Sequence, residues 1–290
     1  MLNHEMRGMM AAMPAKTLEI QANQLRFTCV EEGSGPLVLL LHGFPDTPQT
    51  WDVARPALAA AGFRAVSPFM RGYLPTAIPA RDDYVTDTLG RDALALIEAL
   101  GERQAIVVGH DWGASAAFSA VGLDPSRIRL LVTLAIPHPA SLRPTPALMW
   151  KVRHFFSLRR KRAAKWIRAA DLAHVDELVQ RWSPAWRVPP GETDAVKRAF
   201  REPGCLEAAL GYYRALRLRP SPAQRRRVDV PAVAFAGATD IVPPSAYERA
   251  RSRYTSSYEI VPMPGGHFMH REHPEQFARE LVRVCRAAPP

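Results

Sequence analysis

Ala105-Ile106-Val107-Val108-Gly109-His110-Asp111-Trp112-Gly113 is the stretch whose reading decides the fold. Its first four residues are a short apolar run with no polar alternation, as in a strand buried on both faces of a parallel sheet. The segment after it, Ala114 to Leu123, is small and apolar and reads as a helix. Between them stands a turn of the form small-x-acid-x-small, the pattern of a nucleophile elbow, in which the middle side chain projects from a tight strand-to-helix turn. Glycine is needed on either side because the backbone passes close to the following helix. An ordinary aspartate at a helix start, held there by the helix dipole, is the competing reading; the two flanking glycines and the buried strand favour the elbow.

The same alternation continues in both directions. Upstream lie β-like runs at Leu18–Ile20 and Leu25–Val30, then Leu37-Val38-Leu39-Leu40-Leu41, ending in His42-Gly43-Phe44-Pro45. A helical stretch from Pro48 to Ala61, a strand at Arg64–Pro68 and a helix from Asp87 to Leu100 follow. In that helix Leu89, Ala93, Leu96, Ile97 and Leu100 fall at helical spacing, and Gly101 is a C-terminal stop. Downstream, Ile128–Ala135 is a strand, and the rhythm stops after Ile136-Pro137. From His138 to about Pro222 the chain is helix-like, basic and aromatic, without a strand signal. The βα rhythm resumes with a strand at Val233–Ala236, a helix near Pro244–Tyr254, a strand at Tyr258–Val261 and a final helix near Pro274–Arg286. This predicts an α/β chain with a mostly parallel, doubly wound sheet: core over 17–137, a helical cap inserted over 138–221, and core again over 222–290.

The 290 residues are 47% hydrophobic and 23% charged, with a net charge of +10, which fits a globular protein with a sizeable core. The densest basic run is Arg159, Arg160, Lys161, Arg162, Lys165 and Arg168, and a second is Arg225-Arg226-Arg227. Neither lies in a nucleic-acid-binding motif, so the reading is a solvated, arginine-rich surface with no specific nucleic-acid partner. No run reaches the roughly 20 apolar residues of a membrane helix, so no membrane partner is expected. Cys29, Cys205 and Cys285 are scattered and odd in number; they fit a reducing, cytoplasmic setting and no disulfide framework. The start does not read as a signal peptide, and the first sixteen residues read as a loose extension without assigned function. The histidines lack metal-ligand spacing, so neither metal nor cofactor is expected. A homo-oligomer is allowed.

Four strand ends carry reactive residues, and in an open parallel sheet such ends share one crevice. The elbow, His42-Gly43-Phe44-Pro45, Arg71-Gly72-Tyr73, Asp240 and Gly265-Gly266-His267 occur in an order that resembles the epoxide hydrolase branch of the α/β-hydrolase superfamily. The resemblance runs from about Leu18 to Pro289. It implies the α/β-hydrolase fold, Asp111 as nucleophile, His267 as the base that activates water, and Asp240 as the acid that orients it. His267 is preferred over the nearby His270 and His273 because the Gly-Gly turn sets it at a strand end. Nucleophile, acid and then histidine is the chain order of that fold. A carboxylate that attacks a saturated carbon forms an alkyl ester that water can cleave, whereas attack on an acyl carbon would give an anhydride; Asp111 therefore points to epoxides or alkyl halides. The backbone N–H groups of Phe44 and Trp112 form the expected oxyanion hole. His42 and Arg71-Gly72-Tyr73 are read as loop supports.

The resemblance further implies two cap tyrosines that assist the opening oxygen. Gly211-Tyr212-Tyr213-Arg214 supplies one, with Tyr213 in the expected slot and Tyr212 facing elsewhere, since adjacent helical residues do not share a face. The other is absent: Trp150 to Ser157 contains Phe155 and Phe156 where a tyrosine is expected, and a phenyl ring donates no hydrogen bond. His154 is a candidate replacement. Trp112, Phe155, Phe156 and Tyr212 are the expected substrate-binding residues, for a small and partly apolar epoxide. The elbow pattern is shared with haloalkane and fluoroacetate dehalogenases, so cleavage of a carbon–halogen or ester bond is the alternative, and a binding module without catalysis is a third.

Overall fold

The computed structural model describes residues 15–142, 145–217 and 219–289. The extension expected at the N-terminus lies outside the described residues as far as residue 14, and Lys16 already belongs to a strand. The strands are β1 (Lys16–Ala22), β2 (Leu25–Glu32), β3 (Leu37–Leu41), β4 (Arg64–Pro68), β5 (Ala105–His110), β6 (Ile128–Leu134), β7 (Ala232–Gly237) and β8 (Tyr258–Met263). The α-helices are α1 (Ala54–Ala60), α2 (Thr86–Ala99), α3 (Trp112–Leu123), α4 (Pro146–Lys151), α5 (His154–Leu158), α6 (Ala163–Trp182), α7 (Asp194–Arg201), α8 (Cys205–Ala215), α9 (Ser245–Ala250), α10 (Met269–Glu272) and α11 (Pro274–Arg286).

All eight strands form one sheet in the order β1-β2-β4-β3-β5-β6-β7-β8. β2 pairs antiparallel with β1 and β4, and the remaining pairs are parallel. Side chains alternate across the central strands and feed two cores. Leu37, Leu39, Leu41 and Val107 point to the side that holds Leu89, Leu96 and Ile97 of α2 and Ala116 and Ala117 of α3. Val38, Leu40, Ile106 and Val108 point to the side that holds Leu58 of α1 and Phe277, Leu281 and Val284 of α11. That two-sided burial is why these strands read as unbroken apolar runs in the sequence. From β3 the chain runs outward to β4 and then returns across β3 to β5. The direction of winding reverses there, which opens a crevice at the carboxyl ends of β3 and β5.

The expected doubly wound sheet is present, with local differences. The stretch 48–61 is a short 3-10 turn at Pro48–Trp51 followed by α1, not one helix. The segment near Pro244–Tyr254 likewise ends its helix at Ala250 and finishes in a 3-10 turn. Between β6 and β7 the described residues form helices and no strand. Within α6 the helix breaks at residues 169–172, where Ala170, Asp171 and Leu172 take positive φ. Among the described residues no helix is long and apolar enough to cross a membrane, and the three cysteines are buried free thiols.

Candidate active site

Asp111 occupies the tip of the β5–α3 turn with φ 52° and ψ −115°, a left-handed conformation that strains a residue with a Cβ. Close packing explains the glycines beside it. A Cβ on Gly109 would lie 2.3 Å from the Gly113 carbonyl oxygen, and a Cβ on Gly113 would lie 2.1 Å from that of Leu41. The loop after β3 comes equally near: a Cβ on Gly43 would stand 2.6 Å from Asp111 Oδ1. This approach lets the Phe44 N–H donate to Asp111 Oδ1 at 2.9 Å. Asp111 also immediately precedes α3, so its carboxylate meets the positive end of a helix dipole. The N–H of Trp112, the other expected oxyanion donor, belongs to the first turn of α3, where donors have no acceptor inside the helix.

The loop after β8 brings His267 to the other carboxylate oxygen, with Nε2 at 3.6 Å from Asp111 Oδ2. Its Nδ1 stands 3.1 Å from Asp240 Oδ1, on the loop after β7. The three residues thus come together from the ends of β5, β7 and β8, and all are buried. Burial works against charge on the imidazole, but the Asp240 and Asp111 carboxylates outweigh it and push the His267 pKa up to about 10. While Asp111 is ionised, His267 is therefore an imidazolium at neutral pH. His270 and His273 stand elsewhere: His270 Nε2 pairs with Thr50 Oγ1, and His273 precedes α11.

Tyr213 of α8 is fully buried, and its hydroxyl has no hydrogen-bond partner in the protein. Its ring stands edge-on to Phe44 at 5.2 Å, to Trp112 at 5.2 Å and to Phe155 at 5.3 Å. The Trp112 indole lies near the Tyr213 hydroxyl, yet neither polar atom completes a hydrogen bond of proper geometry. Burial, reinforced by the Asp111 charge, raises the Tyr213 pKa well above the ordinary tyrosine value, so the phenol keeps its proton. The Trp182 indole N–H is likewise buried and unpaired, with its ring edge-on to His267 at 5.2 Å. Unpaired buried polar atoms are rare in folded proteins, and several around one carboxylate suit the polar atoms of a bound molecule.

Two expected substrate contacts are corrected. Phe156 is 48% exposed; within the short helix α5 it points away from the side that buries His154 and Leu158, and only Phe155 packs on Tyr213. Tyr212 is sealed in the core, and its hydroxyl donates to the Arg71 carbonyl at 2.8 Å. It joins α8 to the loop after β4 instead of offering a polar atom to a substrate. His154 is buried, and its Nδ1 donates to the Lys151 carbonyl at 3.1 Å, which leaves a lone pair on Nε2. Burial is the main cause that lowers its pKa to about 4. A neutral His154 in that tautomer accepts a hydrogen bond at Nε2 and cannot replace the absent tyrosine as a donor.

Several supports had no sequence signal. The His267 N–H donates to the Trp182 carbonyl at 3.1 Å, and His110 Nε2 donates to the His267 carbonyl at 3.0 Å. Glu272 accepts from the Gly266 N–H at 2.7 Å and from Ser183 at 2.5 Å. These bonds tie the histidine loop to the end of β5 and to the end of α6, both far away in the chain. His42 donates from Nδ1 to the Gly43 carbonyl at 2.9 Å and accepts the Met70 N–H at Nε2 at 3.0 Å, as a loop support does. Arg71 forms a two-pronged pair with Asp92 of α2, at 2.7 and 2.6 Å. Behind the site Asp46, His110 and His270 offer metal-ligand atoms within 4.8 Å of one another. Asp46 already faces a cation there, Arg271 Nη1 at 3.4 Å, and we assign no metal to the cluster.

A family model described as alpha/beta hydrolase fold matches residues 36–274. An epoxide hydrolase of Caballeronia sordidicola is 41% identical over 124 residues, 42% of this chain and 37% of that protein. An AB hydrolase superfamily protein of Bacillus subtilis is 33% identical over 190 residues, 63% of this chain and 66% of that protein. In both cases the match spans less than two thirds of the relative's length. Among solved structures, one from Klebsiella pneumoniae superposes with a TM-score of 0.82 at 26% identity, over 93% of this chain and 97% of that one. An epoxide hydrolase of Vigna radiata superposes with a TM-score of 0.80 at 24% identity, over 94% of this chain and 98% of that one, a likeness of fold.

Proposed function

The chain belongs to the α/β hydrolase fold family, and from that premise we propose that it is a hydrolase that opens an epoxide to a vicinal diol through an ester on Asp111. The observation that carries the reading is the state of the Asp111 carboxylate, with the Phe44 N–H on Oδ1 at 2.9 Å and the His267 ring at 3.6 Å from Oδ2. Oδ1 is held as the future carbonyl oxygen, and Oδ2 is the nucleophile. Oδ2 forms a bond to an epoxide carbon, the carbon–oxygen bond of the ring breaks, and the departing oxygen takes a proton from the Tyr213 hydroxyl. The helices between β6 and β7, residues 138–221, act as a cap that brings Tyr213 over the elbow.

Ester formation removes the Asp111 charge. One of the two carboxylates that hold the proton on His267 is then gone, and its pKa falls; its proton passes by way of solvent to the Tyr213 oxygen, and the neutral imidazole is left as a base at the step that needs one. Water attacks the ester carbonyl and gives its proton to His267, which Asp240 keeps oriented. The Phe44 N–H stabilises the tetrahedral oxyanion. Collapse of that intermediate passes its hydroxyl proton to the leaving oxygen, releases the diol and restores the Asp111 carboxylate beside a protonated His267, which is the resting state.

The test is a pair of variants assayed with a panel of styrene-oxide-like epoxides. Asp111→Ala abolishes diol formation. His267→Gln forms the ester and fails to hydrolyse it, so intact-mass spectrometry finds the protein heavier by the mass of one epoxide. Full turnover by Asp111→Ala, or no adduct with an epoxide that the wild type hydrolyses, would overturn the reading. A carbon–halogen substrate is the second reading, favoured by the unpaired buried indole N–H groups of Trp112 and Trp182, which are donors suited to a halide. Halide release from a haloalkane panel, without diol from the epoxide panel, selects it.

A further inference from the structure

Between Asp124 and Asp171 the chain contains no aspartate or glutamate. The turn between α4 and α5, the turn between α5 and α6, and the first turn of α6 expose Arg153, then Arg159, Arg160, Lys161 and Arg162, then Lys165. Among the described residues, Arg159, Arg160, Lys161, Arg162 and Lys165 form no ion pair, although Arg168, one turn further on, pairs with Glu207. These are unneutralised charges on one short length of chain.

Aromatic side chains stand out among them. Trp150 is 66% exposed, Phe156 48% and Trp166 39%, three of the five most exposed large apolar side chains among the described residues. The helices show why Phe156 and Trp166 face outward. α5 buries His154 and Leu158 and turns Phe156 outward, while α6 buries Ala163, Ala164 and Ile167 and turns Lys165 and Trp166 outward. α5 packs on both α6 and α8, so the outward sides of α5 and α6 are neighbours. Arg153 lies over the Trp150 ring at 3.9 Å, an arrangement that keeps a charge at the edge of an apolar surface. Isolated exposed apolar residues need no explanation; three large rings set among cations, with no acid nearby in the chain, do.

We propose that this strip of the helical segment, from Trp150 to Trp166, is a docking surface for an anionic lipid membrane, on which the protein lies without crossing it. Basic residues around Trp and Phe are the composition of a segment that rests at a lipid–water interface, with the rings at headgroup depth and the cations on the phosphates. The reading of the basic run as solvated surface, and the expectation of no membrane partner, followed from the missing motif and spanning segment; neither addresses contact from one side. Nucleic acid suits the strip less well. Single strands are bound along grooves in which bases stack, and the outward faces of two helices are convex. The proposal is independent of the hydrolytic reading.

The experiment is flotation of the full-length protein with phosphatidylcholine vesicles, with and without phosphatidylglycerol, in low and high salt. The protein floats with the anionic vesicles, stays behind with the neutral ones, and is released by salt as the interaction is screened. Arg159→Glu/Arg160→Glu/Lys161→Glu lowers the partition coefficient by about tenfold or more. Trp150→Ala/Trp166→Ala, which keeps every charge, lowers it by roughly fivefold or more. All these residues are exposed, and unchanged thermal melts show that the variants fold. Asp111→Asn floats as the wild type does, so a failed epoxide assay leaves this result intact. No flotation with anionic vesicles at low salt overturns the proposal. So does a tryptophan variant that binds vesicles as the wild type does while duplex DNA competes the protein away, because the strip would then be a polyanion surface without a lipid contact.

Discussion

At the residue scale the proposed reaction gives the two adjacent tyrosines of α8 different parts, chemistry for Tyr213 and support for Tyr212. The Tyr213 hydroxyl is buried without a partner beside the Asp111 site, and the Tyr212 hydroxyl is spent on the Arg71 carbonyl. Tyr213→Phe should slow formation of the Asp111 ester by roughly a hundredfold with little loss of stability, because it removes a positioned proton donor. Tyr212→Phe should do the reverse: turnover stays near wild type, and chemical denaturation shows a loss of about 1 kcal/mol for a broken buried hydrogen bond. Equal rate losses in the two variants would contradict the separation. The residues of the site were unequally legible. Asp111, Asp240 and His267 each follow a strand within three residues of a glycine, and that punctuation reads as a strand end. Phe155 and Phe156 lie next to each other on a five-residue helix, and nothing in the sequence says which of two neighbours a short helix turns inward. Trp182 gave no signal because it reaches His267 only through the fold.

At the scale of elements, the site depends on loops that are fastened to helices. Arg71 and Asp92 are both buried and meet through two hydrogen bonds, with Asn23 also on the Asp92 carboxylate at 2.6 Å. Through its carbonyl the same residue anchors Tyr212 and so α8. Arg71→Ala strands a buried carboxylate and should cost about 3–5 kcal/mol in denaturant unfolding; a loss below 1 kcal/mol would mean that the loop is held by other contacts. The sequence marked Arg71-Gly72-Tyr73 as a support without naming what it supports, since Asp92 lies on α2 and Tyr212 on α8. Strands were the most legible elements. β3 and β5 are buried on both faces and contain little but apolar residues, so their position needed no tertiary knowledge. The break in α6 was hidden, because Ala170 and Leu172 are good helix formers and yet both take positive φ.

At the scale of the whole molecule, buried histidines set the pH range of stability. Burial depresses His42, His138 and His154 to about 4, so between that value and the unfolded value near 6.5 the unfolded chain binds more protons; stability is lost as pH falls through this window. His267 runs the other way. Its folded pKa of about 10 lies above the unfolded value, so its contribution is complete below about 6.5 and is lost as pH rises toward 10. Thermal melts should therefore peak near pH 6.5 to 7, and His267→Gln should flatten the alkaline limb and spare the acid one. An alkaline limb unchanged by that substitution would contradict the assignment of the charge to His267. In the proposed reaction the same charge links stability to turnover, because Asp111, one of the two carboxylates that hold the proton, is the group the substrate would consume. That link rests on a covalent ester, and one labelling measurement reaches it. A single turnover in heavy-oxygen water, with enzyme in excess over epoxide, should give unlabelled diol and place the heavy oxygen in the tryptic peptide that contains Asp111. Heavy oxygen in the first diol and none in the peptide would mean that water attacks the substrate directly and that Asp111 is not the nucleophile.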